Sequence, residues 1–389
     1  MIPYGDFSYF ALMLYPVIPT IILGLLGRIN WRWVFFITLV VLAVQFARGL
    51  NILPETTVLE LWLVLAYAVP ELAVAEGFLY LRKRAKNKWV YYGALGLSLL
   101  PLVISKFTPL VAPKSLIGFL GISYVTFRSL DVIFGIQDGL ITTLPPLQYL
   151  GFVFFFPTIS SGPIDRFRRF SKDWEHTRTR PEFLQDLDGA VHRLFTGFLY
   201  KFILAALIKT YWLDPMSKGS DVGTILMYMY AYSFYLFFDF AGYTQFALAF
   251  SYLFGIHSPE NFNRPFLAKD IRDFWNRWHM SLSSWFRDHI YMRFVIAATK
   301  GKWFKGKYTA SYLGFFVMFG LMGLWHGPAP QYLIYGAYHA VLFTFFDWFQ
   351  RWNKVHKLWG ESLVYQVCGI FLTFNAVCFG FLIFSGRLF

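Results

Sequence analysis

Apolar residues fall in long stretches along the chain, and polar residues collect in the segments between them. Ten stretches are close to the roughly 20 residues that cross the hydrocarbon core of a bilayer. They cover residues 8–27, 33–47, 58–81, 89–112, 115–136, 190–213, 225–254, 309–325, 331–349 and 362–386. A shorter apolar segment, 147–163, is predicted to form a half-span. The pattern predicts an all-α polytopic membrane protein with about ten or eleven membrane helices or half-spans.

The composition supports this class of protein. Of the 389 residues, 57% are hydrophobic, 22% are aromatic and 15% are charged. A soluble domain has about a quarter of its residues charged, so a single soluble globule is excluded, as are disordered and collagen-like chains. The two cysteines, Cys368 and Cys378, form neither a disulfide framework nor a zinc-ligand cluster. No metal site is predicted.

The distribution of charge predicts the orientation. The net charge is +13. In a membrane protein such an excess indicates basic cytoplasmic loops, and we expect no nucleic-acid partner. The first loop carries Arg28 and Arg32, and residues 82–88 carry five more basic residues. These loops share one side if the spans alternate, so the N-terminus is predicted to be extracellular. A basic region before the first span is missing, which argues against a cleavable signal peptide.

The segment 256–308 is too charged to span and unusually aromatic for a loop. Within 271–290, large apolar residues recur at steps of three and four. They are Ile271, Phe274, Trp275, Trp278, Leu282, Trp285 and Phe286. This spacing predicts an amphipathic helix at the membrane surface. A membrane anchor is the simpler interpretation, but His279 in the middle of the helix suggests a site.

Three of the eight histidines, His279, His326 and His339, are candidates for a functional role, whereas His257 and other loop histidines are predicted to be solvated. His326 ends an apolar run in the sequence Gly323–Pro328, where glycines and a proline break the helix. An imidazole there can face a cavity at membrane depth. It can equally donate to a freed carbonyl. His339 lies in the middle of a span and is interpreted as a core histidine.

Charged residues within the spans need partners. Asp239 lies in an apolar run with no basic residue nearby in sequence. Because an unpaired buried carboxylate is costly, Asp239 either meets a base from another helix or stays protonated. We favour a structural ion pair.

A basic run follows an apolar stretch at residues 294–298. Its members are Lys300, Lys302, Lys305 and Lys307. The run indicates either attraction to anionic lipid or a docking surface for an acidic soluble protein. It is not a phosphate-binding loop, because no strand precedes it and Tyr308 replaces the required hydroxyl residue.

Several short stretches of the sequence, taken together, resemble those of a known protein family. The sequence 275–283, with His326 lying 47 residues after His279, resembles the membrane-bound O-acyltransferase family. Other stretches narrow the resemblance to members that transfer D-alanine in Gram-positive bacteria, over essentially the whole chain. These are 119–124, 156–170, 237–243, 255–262 and 381–386.

The resemblance implies a fold and a site. The fold would be a ring of helices around a thinned centre, forming one domain with N-terminal helices at 1–112, a catalytic core at 115–345 and a C-terminal helix at 362–389. His326 would be catalytic and His279 a second catalytic or pocket residue. The expected substrate tunnel or pocket consists of Trp275, Asn276, Trp278, Ser281, Trp325 and Asp239. The expected structural motif consists of Ser161, Gly162, Pro163 and Arg166.

The resemblance also implies partners. A cytoplasmic, acidic D-alanyl carrier protein would hold D-alanine as a thioester on phosphopantetheine, and no cofactor would be bound tightly. The acceptor would be teichoic acid outside the cell membrane, reached together with other proteins of the D-alanylation pathway. The expected carrier-docking residues are Val295, Ile296, Lys300, Lys302 and Lys305.

Two other functions stay open at this point. One is O-acetylation of an extracellular polysaccharide such as alginate. The other is transport or lipid flipping, for which the intramembrane residues Glu71, Arg128 and Asp239 would be suitable. Paired inverted halves are missing from the sequence, which counts against a transporter.

Overall fold

The computed structural model describes residues 3–46, 57–110, 118–360 and 362–389, and it is almost entirely helical there. Extended pairing within these residues is limited to two isolated bridges, Ile29–Arg178 and Phe262–Trp278. The predicted all-α class is confirmed.

Eight helices come first in the described chain. They are α1 (Phe7–Leu25), α2 (Trp31–Phe46), α3 (Thr57–Arg84), α4 (Lys88–Phe107), α5 (Ile122–Gln137), α6 (Pro146–Val153), α7 (Phe167–Glu175) and α8 (Arg180–Phe198). The chain after α8 continues to Met216 through two wide π-helical segments, Leu199–Ala205 and Lys209–Leu213. Such segments interrupt regular helical hydrogen bonding and often occur at functional sites.

Seven further helices complete the described chain. They are α9 (Val222–Leu253), α10 (Ile271–Trp275), α11 (Met280–Phe286), α12 (Met292–Lys300), α13 (Thr309–His326), α14 (Pro330–His356) and α15 (Leu363–Phe384). A third π-helical segment, Arg287–Tyr291, joins α11 to α12 without a break. Helices α10 and α11 together with this segment cover residues 271–290, which were predicted to form one continuous helix.

Several of the predicted spans correspond to long helices in the structure. Within the described residues, five helices are long and apolar enough to cross a membrane: Phe7–Leu25, Trp62–Arg84, Lys88–Phe107, Arg180–Met216 and Leu363–Phe384. Helices α9, α13 and α14 contain 32, 18 and 27 residues and are of comparable length. Parts of three predicted spans, at 47, 111–112 and 115–117, lie outside the described residues.

The chain forms two compact units, the first of which contains residues 1–197 and 243–259. The predicted half-span at 147–163 consists there of α6 and a single 3₁₀ turn, Phe156–Thr158. Buried Arg128 on α5 donates to the carbonyls of Phe152 and Val153, at 3.2 and 3.1 Å, and to that of Thr158 at 2.7 Å. These carbonyls lie where helical bonding ends, so the guanidinium satisfies acceptors that helices leave open.

The predicted structural motif follows directly after this turn. Gly162 lies so close to Thr158 that a Cβ would come within 2.6 Å of its Cα. Ser161 and Pro163 flank this close approach, and Ser160 next to them hydrogen-bonds to Tyr243. The Arg166 guanidinium forms an ion pair with Asp131 at 2.9 Å. The motif residues therefore occur in one tightly held connection to α7.

His257 belongs to a charged network in the same unit, and its side chain is 40% exposed, so this loop histidine is partly solvated but also held by charged partners. Its Nε2 lies 2.6 Å from Asp186 Oδ1, and its backbone N–H donates to Asp173 at 2.8 Å. Hydrogen bonds with Asp173 and Asp186 raise the pKa of His257 to about 9, although the nearby Arg178 opposes the rise. The imidazole is therefore positively charged at neutral pH, and it ties the loop after α9 to α7 and α8.

The second compact unit contains residues 198–242 and 260–389. Helices α13 and α14 pack closely in this unit because small residues lie between them. A Cβ on Gly323 would come within 3.2 Å of the Tyr332 carbonyl carbon, and one on Gly336 within 3.1 Å of that of Phe319. The division into N-terminal helices, core and C-terminal helix implied by the family resemblance stays a prediction.

Candidate active site

The predicted helix over 271–290 is wrong in one decisive detail, because the helix breaks at His279. Helix α10 ends at Trp275 and α11 begins at Met280. Between them, the Asn263 N–H donates to the Arg277 carbonyl and the Met280 N–H to the Asn261 carbonyl, both at 2.9 Å. Pairing with 261–263 replaces helical hydrogen bonds here. His279 takes a left-handed conformation, with φ of +42°, to complete the turn.

The apolar side chains of this segment also differ from expectation. All seven that were predicted to face lipid at the membrane surface are buried in the protein. Asp270 caps α10, and its Oδ1 accepts from the backbone N–H groups of Arg272 and Asp273 at 2.9 and 2.8 Å. The segment is therefore a packed part of the second unit, and a surface anchor is not its structural role.

His279 is buried and uncharged. The residue is 5% exposed, and its ring packs edge-on against that of Phe240, with the ring centroids 4.8 Å apart. Burial, with a smaller contribution from electrostatic interaction with His326, lowers the pKa of His279 to about 3. The two histidines, which the sequence separates by 47 residues, are therefore within electrostatic reach of one another. The Nε2 atom of His279 has no hydrogen-bond partner among the described residues.

His326 is the last residue of α13, and the predicted break follows it at Gly327. Proline at the first position of α14 starts the next helix only four residues later. The half-buried imidazole contacts the rings of Trp325, Phe384 and Tyr332 at centroid distances of 4.4, 4.9 and 5.8 Å. Gly323 lies within α13 and serves helix packing, so its predicted part in the break is wrong.

The remaining predicted pocket residues have different environments. The Ser281 hydroxyl donates to Asn261 Oδ1 at 2.6 Å. Trp278 stacks on Phe274 at 5.7 Å, whereas Asn276 is exposed. Since its hydroxyl proton is already used, Ser281 holds the turn together and is not an available donor in this arrangement. The predicted substrate-facing roles of these residues and of Trp325 stay predictions.

Asp239, which is partly exposed, meets the basic partner that was expected for a carboxylate in an apolar run. Lys201, within the first π-helical segment, places its Nζ 2.5 Å from Asp239 Oδ1. The predicted ion pair is confirmed. The lysine lies 38 residues away along the chain, and the apolar residues around it gave no hint of the pairing.

Asn261 and His339 make structural hydrogen bonds that the sequence did not indicate. Asn261 supports the His279 turn twice, through its carbonyl and through its side chain. His339 is completely buried, as predicted for a core histidine, and its Nδ1 accepts the Trp275 indole N–H at 3.3 Å. Because Trp275 uses its N–H in this bond, it is not a free donor for a substrate oxyanion.

The predicted docking residues are mostly accessible. Ile296 on α12 and the three lysines Lys300, Lys302 and Lys305 are exposed. Val295 is half-buried, because its side chain packs towards Gly314 on α13. An apolar contact at Ile296 beside a positively charged rim is a surface that suits an acidic protein.

Comparison with known proteins agrees with these features. The described residues are almost entirely helical, with several apolar helices and two histidines in one part of the second unit, which is the make-up of a membrane-embedded enzyme. Residues 134–385 match the sequence model of the membrane-bound O-acyltransferase family. The chain belongs to this family, and it is a multi-pass membrane protein.

Individual relatives are similar over the full length. A teichoic acid D-alanyltransferase of Bacillus subtilis is 47% identical, and the alignment covers 100% of this chain and 99% of the relative. One of Lacticaseibacillus rhamnosus is 41% identical, with 99% and 97% covered. A probable alginate O-acetylase of Pseudomonas aeruginosa is 29% identical, with 79% and 59% covered. The similarity to the acetylase is therefore more distant and less complete.

Proposed function

We propose that the chain is a cell-membrane O-acyltransferase that transfers D-alanine to teichoic acid, with His326 as its reacting histidine. The observation that carries the assignment of His326 is its position at a helix end, within electrostatic reach of the buried His279. The choice of D-alanine and teichoic acid is supported by relatives of that name that match over their full length. These relatives come from Gram-positive bacteria, which have the teichoic acid that the reaction needs.

The proposed reaction joins a thioester and a hydroxyl group. His326 accepts the proton of the acceptor hydroxyl as its oxygen attacks the thioester carbonyl carbon, so that a C–O bond forms. The C–S bond then breaks, and the departing thiolate takes the proton from the imidazolium to leave as a thiol. Neutral imidazole is suited to this exchange near pH 7. The half-buried position gives His326 access to substrates while limiting access of water to the thioester.

His279 has a different part in the proposal. Its lowered pKa keeps it neutral, so it does not place a second positive charge beside His326. A cationic neighbour would disfavour the imidazolium that His326 must form during the reaction. We assign His279 the role of an uncharged pocket residue, whose buried Nε2 can exchange a hydrogen bond with a substrate.

The donor is proposed to be a soluble, acidic D-alanyl carrier protein that holds the amino acid on phosphopantetheine. It would dock on the cytoplasmic side at the exposed Ile296, with Lys300, Lys302 and Lys305 around it. Tight binding of a cofactor is not required, because the phosphopantetheine arm belongs to the carrier. Other proteins of the D-alanylation pathway would then act with this enzyme, whose N-terminus we place outside the cell.

The proposal is tested with His326→Ala and His326→Gln. Cells that carry either variant at a normal level of folded membrane protein should lose the D-alanine esters that mild base releases. Purified variants should also stop consuming the carrier thioester in the presence of acceptor. His356→Gln, at an exposed position on the last turn of α14, is the matched control and should leave both measurements unchanged. Unchanged ester content in the His326 variants would remove this residue from the mechanism.

A further inference from the structure

Trp275 and His339 form a polar pair inside an otherwise aromatic part of the second unit. The indole N–H of Trp275 donates to His339 Nδ1 at 3.3 Å, and the two rings meet edge-on at 5.2 Å. Rings of Phe319, Tyr335 and Tyr338 surround the histidine at centroid distances of 5.8, 4.5 and 5.5 Å. Water does not reach His339, which is 0% exposed.

This hydrogen bond fixes the protonation of His339. An Nδ1 that accepts a hydrogen bond carries no proton, so the neutral ring has its proton on Nε2. That Nε2 is buried with no hydrogen-bond partner among the described residues. Gly380 on α15 lies against it, and a Cβ there would come within 2.9 Å of Nε2.

A buried N–H without a partner is unfavourable, and a leucine would fill similar space without it. The polar atom that distinguishes His339 from an apolar residue is therefore Nδ1. Among the described residues, Nδ1 accepts a hydrogen bond from Trp275. This makes the hydrogen bond to Trp275 the property that histidine adds at position 339.

The pair is linked to both histidines of the candidate active site, to one through the chain and to the other through ring contacts. Trp275 is the last residue of α10, four residues before His279. On the other side, the His339 ring contacts Tyr335, which contacts Phe384 at 5.2 Å. Phe384 in turn contacts the His326 ring at 4.9 Å. His339 thus connects the helix end before one histidine with the aromatic rings around the other.

We propose that His339 is a positioning residue, whose hydrogen bond to Trp275 fixes the His279 turn relative to the helix pair that carries His326. The inference rests on the proposed function for its effect on turnover. It predicts that the geometry of the turn, and not only the stability of the fold, depends on this bond.

The experiment compares four full-length proteins in lipid nanodiscs: wild type, W275F, H339L and the double variant. Each single variant leaves one buried polar group without its partner and should unfold at a lower temperature. The double variant removes both groups and should recover much of the thermal midpoint. Its turnover should nevertheless stay about tenfold or more below wild type, with the KM for carrier unchanged, because the His279 turn is no longer fixed.

His339→Asn separates positioning from packing, because its side-chain oxygen keeps an acceptor near the position of Nδ1. This variant should retain most of the turnover that H339L loses. A double variant with wild-type turnover, or H339N as slow as H339L at equal folded amounts, would overturn the proposal.

A chemical-labelling experiment that does not depend on catalytic activity tests the positioning role separately from the proposed function. Diethyl pyrocarbonate should label His279 faster in the double variant than in the wild type, with the labelled residue located by mass spectrometry. Equal labelling rates would overturn the positioning role. A wild-type protein that consumes no carrier thioester would contradict the proposed function, while the labelling comparison would still decide whether the bond fixes the turn.

Discussion

Asn261 is the residue on which the shape of the His279 turn most directly depends. Its carbonyl accepts from Met280 and its Oδ1 accepts from the Ser281 hydroxyl, and the side chain is completely buried. Asn261→Ala leaves that hydroxyl without its acceptor and should lower the free energy of unfolding by about 1–3 kcal/mol. Turnover should fall as well, because the turn that holds His279 loosens.

Asn263→Ala is the matched control for this prediction. Asn263 is exposed, and its contribution to the turn is made through its backbone N–H, which alanine keeps. Thermal unfolding and turnover of the two variants should be measured in the same nanodiscs. If the variants at 261 and 263 behaved alike, the Asn261 side chain would have no special part in holding the turn.

At the scale of helices, Gly380 shows how closely α15 approaches α14. A side chain at this position would meet His339 Nε2 at 2.9 Å, within a packed aromatic region. Gly380→Ala should therefore destabilise the protein by about 1–3 kcal/mol, despite the higher helix propensity of alanine. Gly320→Ala on α13 is the control, since no atom lies within 4 Å of its Cβ position. It should be neutral or stabilising in thermal unfolding, and equal midpoints would contradict the close packing.

The helices could be predicted from sequence wherever one apolar stretch makes one helix. The exception, over 271–290, has a clear physical cause. Apolar residues continue at steps of three and four through Trp275 and Trp278, so nothing in the local pattern marks the break. The break is set by pairing with 261–263, which is a contact between separate segments. The spacing of apolar residues indicates which side chains are buried, but not whether the backbone is helical. Trp278 shows the difference, because it is buried even though the backbone beside it is not helical.

The residues of the candidate site could be predicted only in part, because some of their roles depend on contacts between separate segments. His326 and His279 stood out because each lies in an unusual local context. Lys201 did not stand out, and His339 stood out only as a core histidine, because their importance comes from contacts with Asp239 and Trp275, 38 and 64 residues away. A lysine or histidine in an apolar run indicates that a partner exists, but not which one.

At the scale of the whole molecule, the basic surface after α12 should govern encounter with the carrier. Replacing Lys300, Lys302 and Lys305 together by glutamate should raise the KM for an acidic carrier at least tenfold, with little change in turnover at saturation. The KM of the wild type should rise with salt concentration, because screening weakens attraction between exposed charges. Steady-state kinetics at several ionic strengths measure both effects.

The control is a set of three lysine-to-glutamate changes at Lys83, Lys86 and Lys88, in another basic part of the chain. These changes alter the net charge equally but should leave the KM nearly unchanged. Equal increases in KM for both variants would indicate a general effect of charge, and would count against a docking surface beside Ile296.

The left-handed backbone at residue 279 sets stability and function against each other. Glycine adopts this conformation freely, whereas a side chain such as that of histidine costs about 1 kcal/mol there. Edge-on packing of the buried ring against Phe240, at 4.8 Å, offsets part of this strain. Under the proposed function, the protein accepts a strained backbone at this position in order to hold an imidazole in the turn.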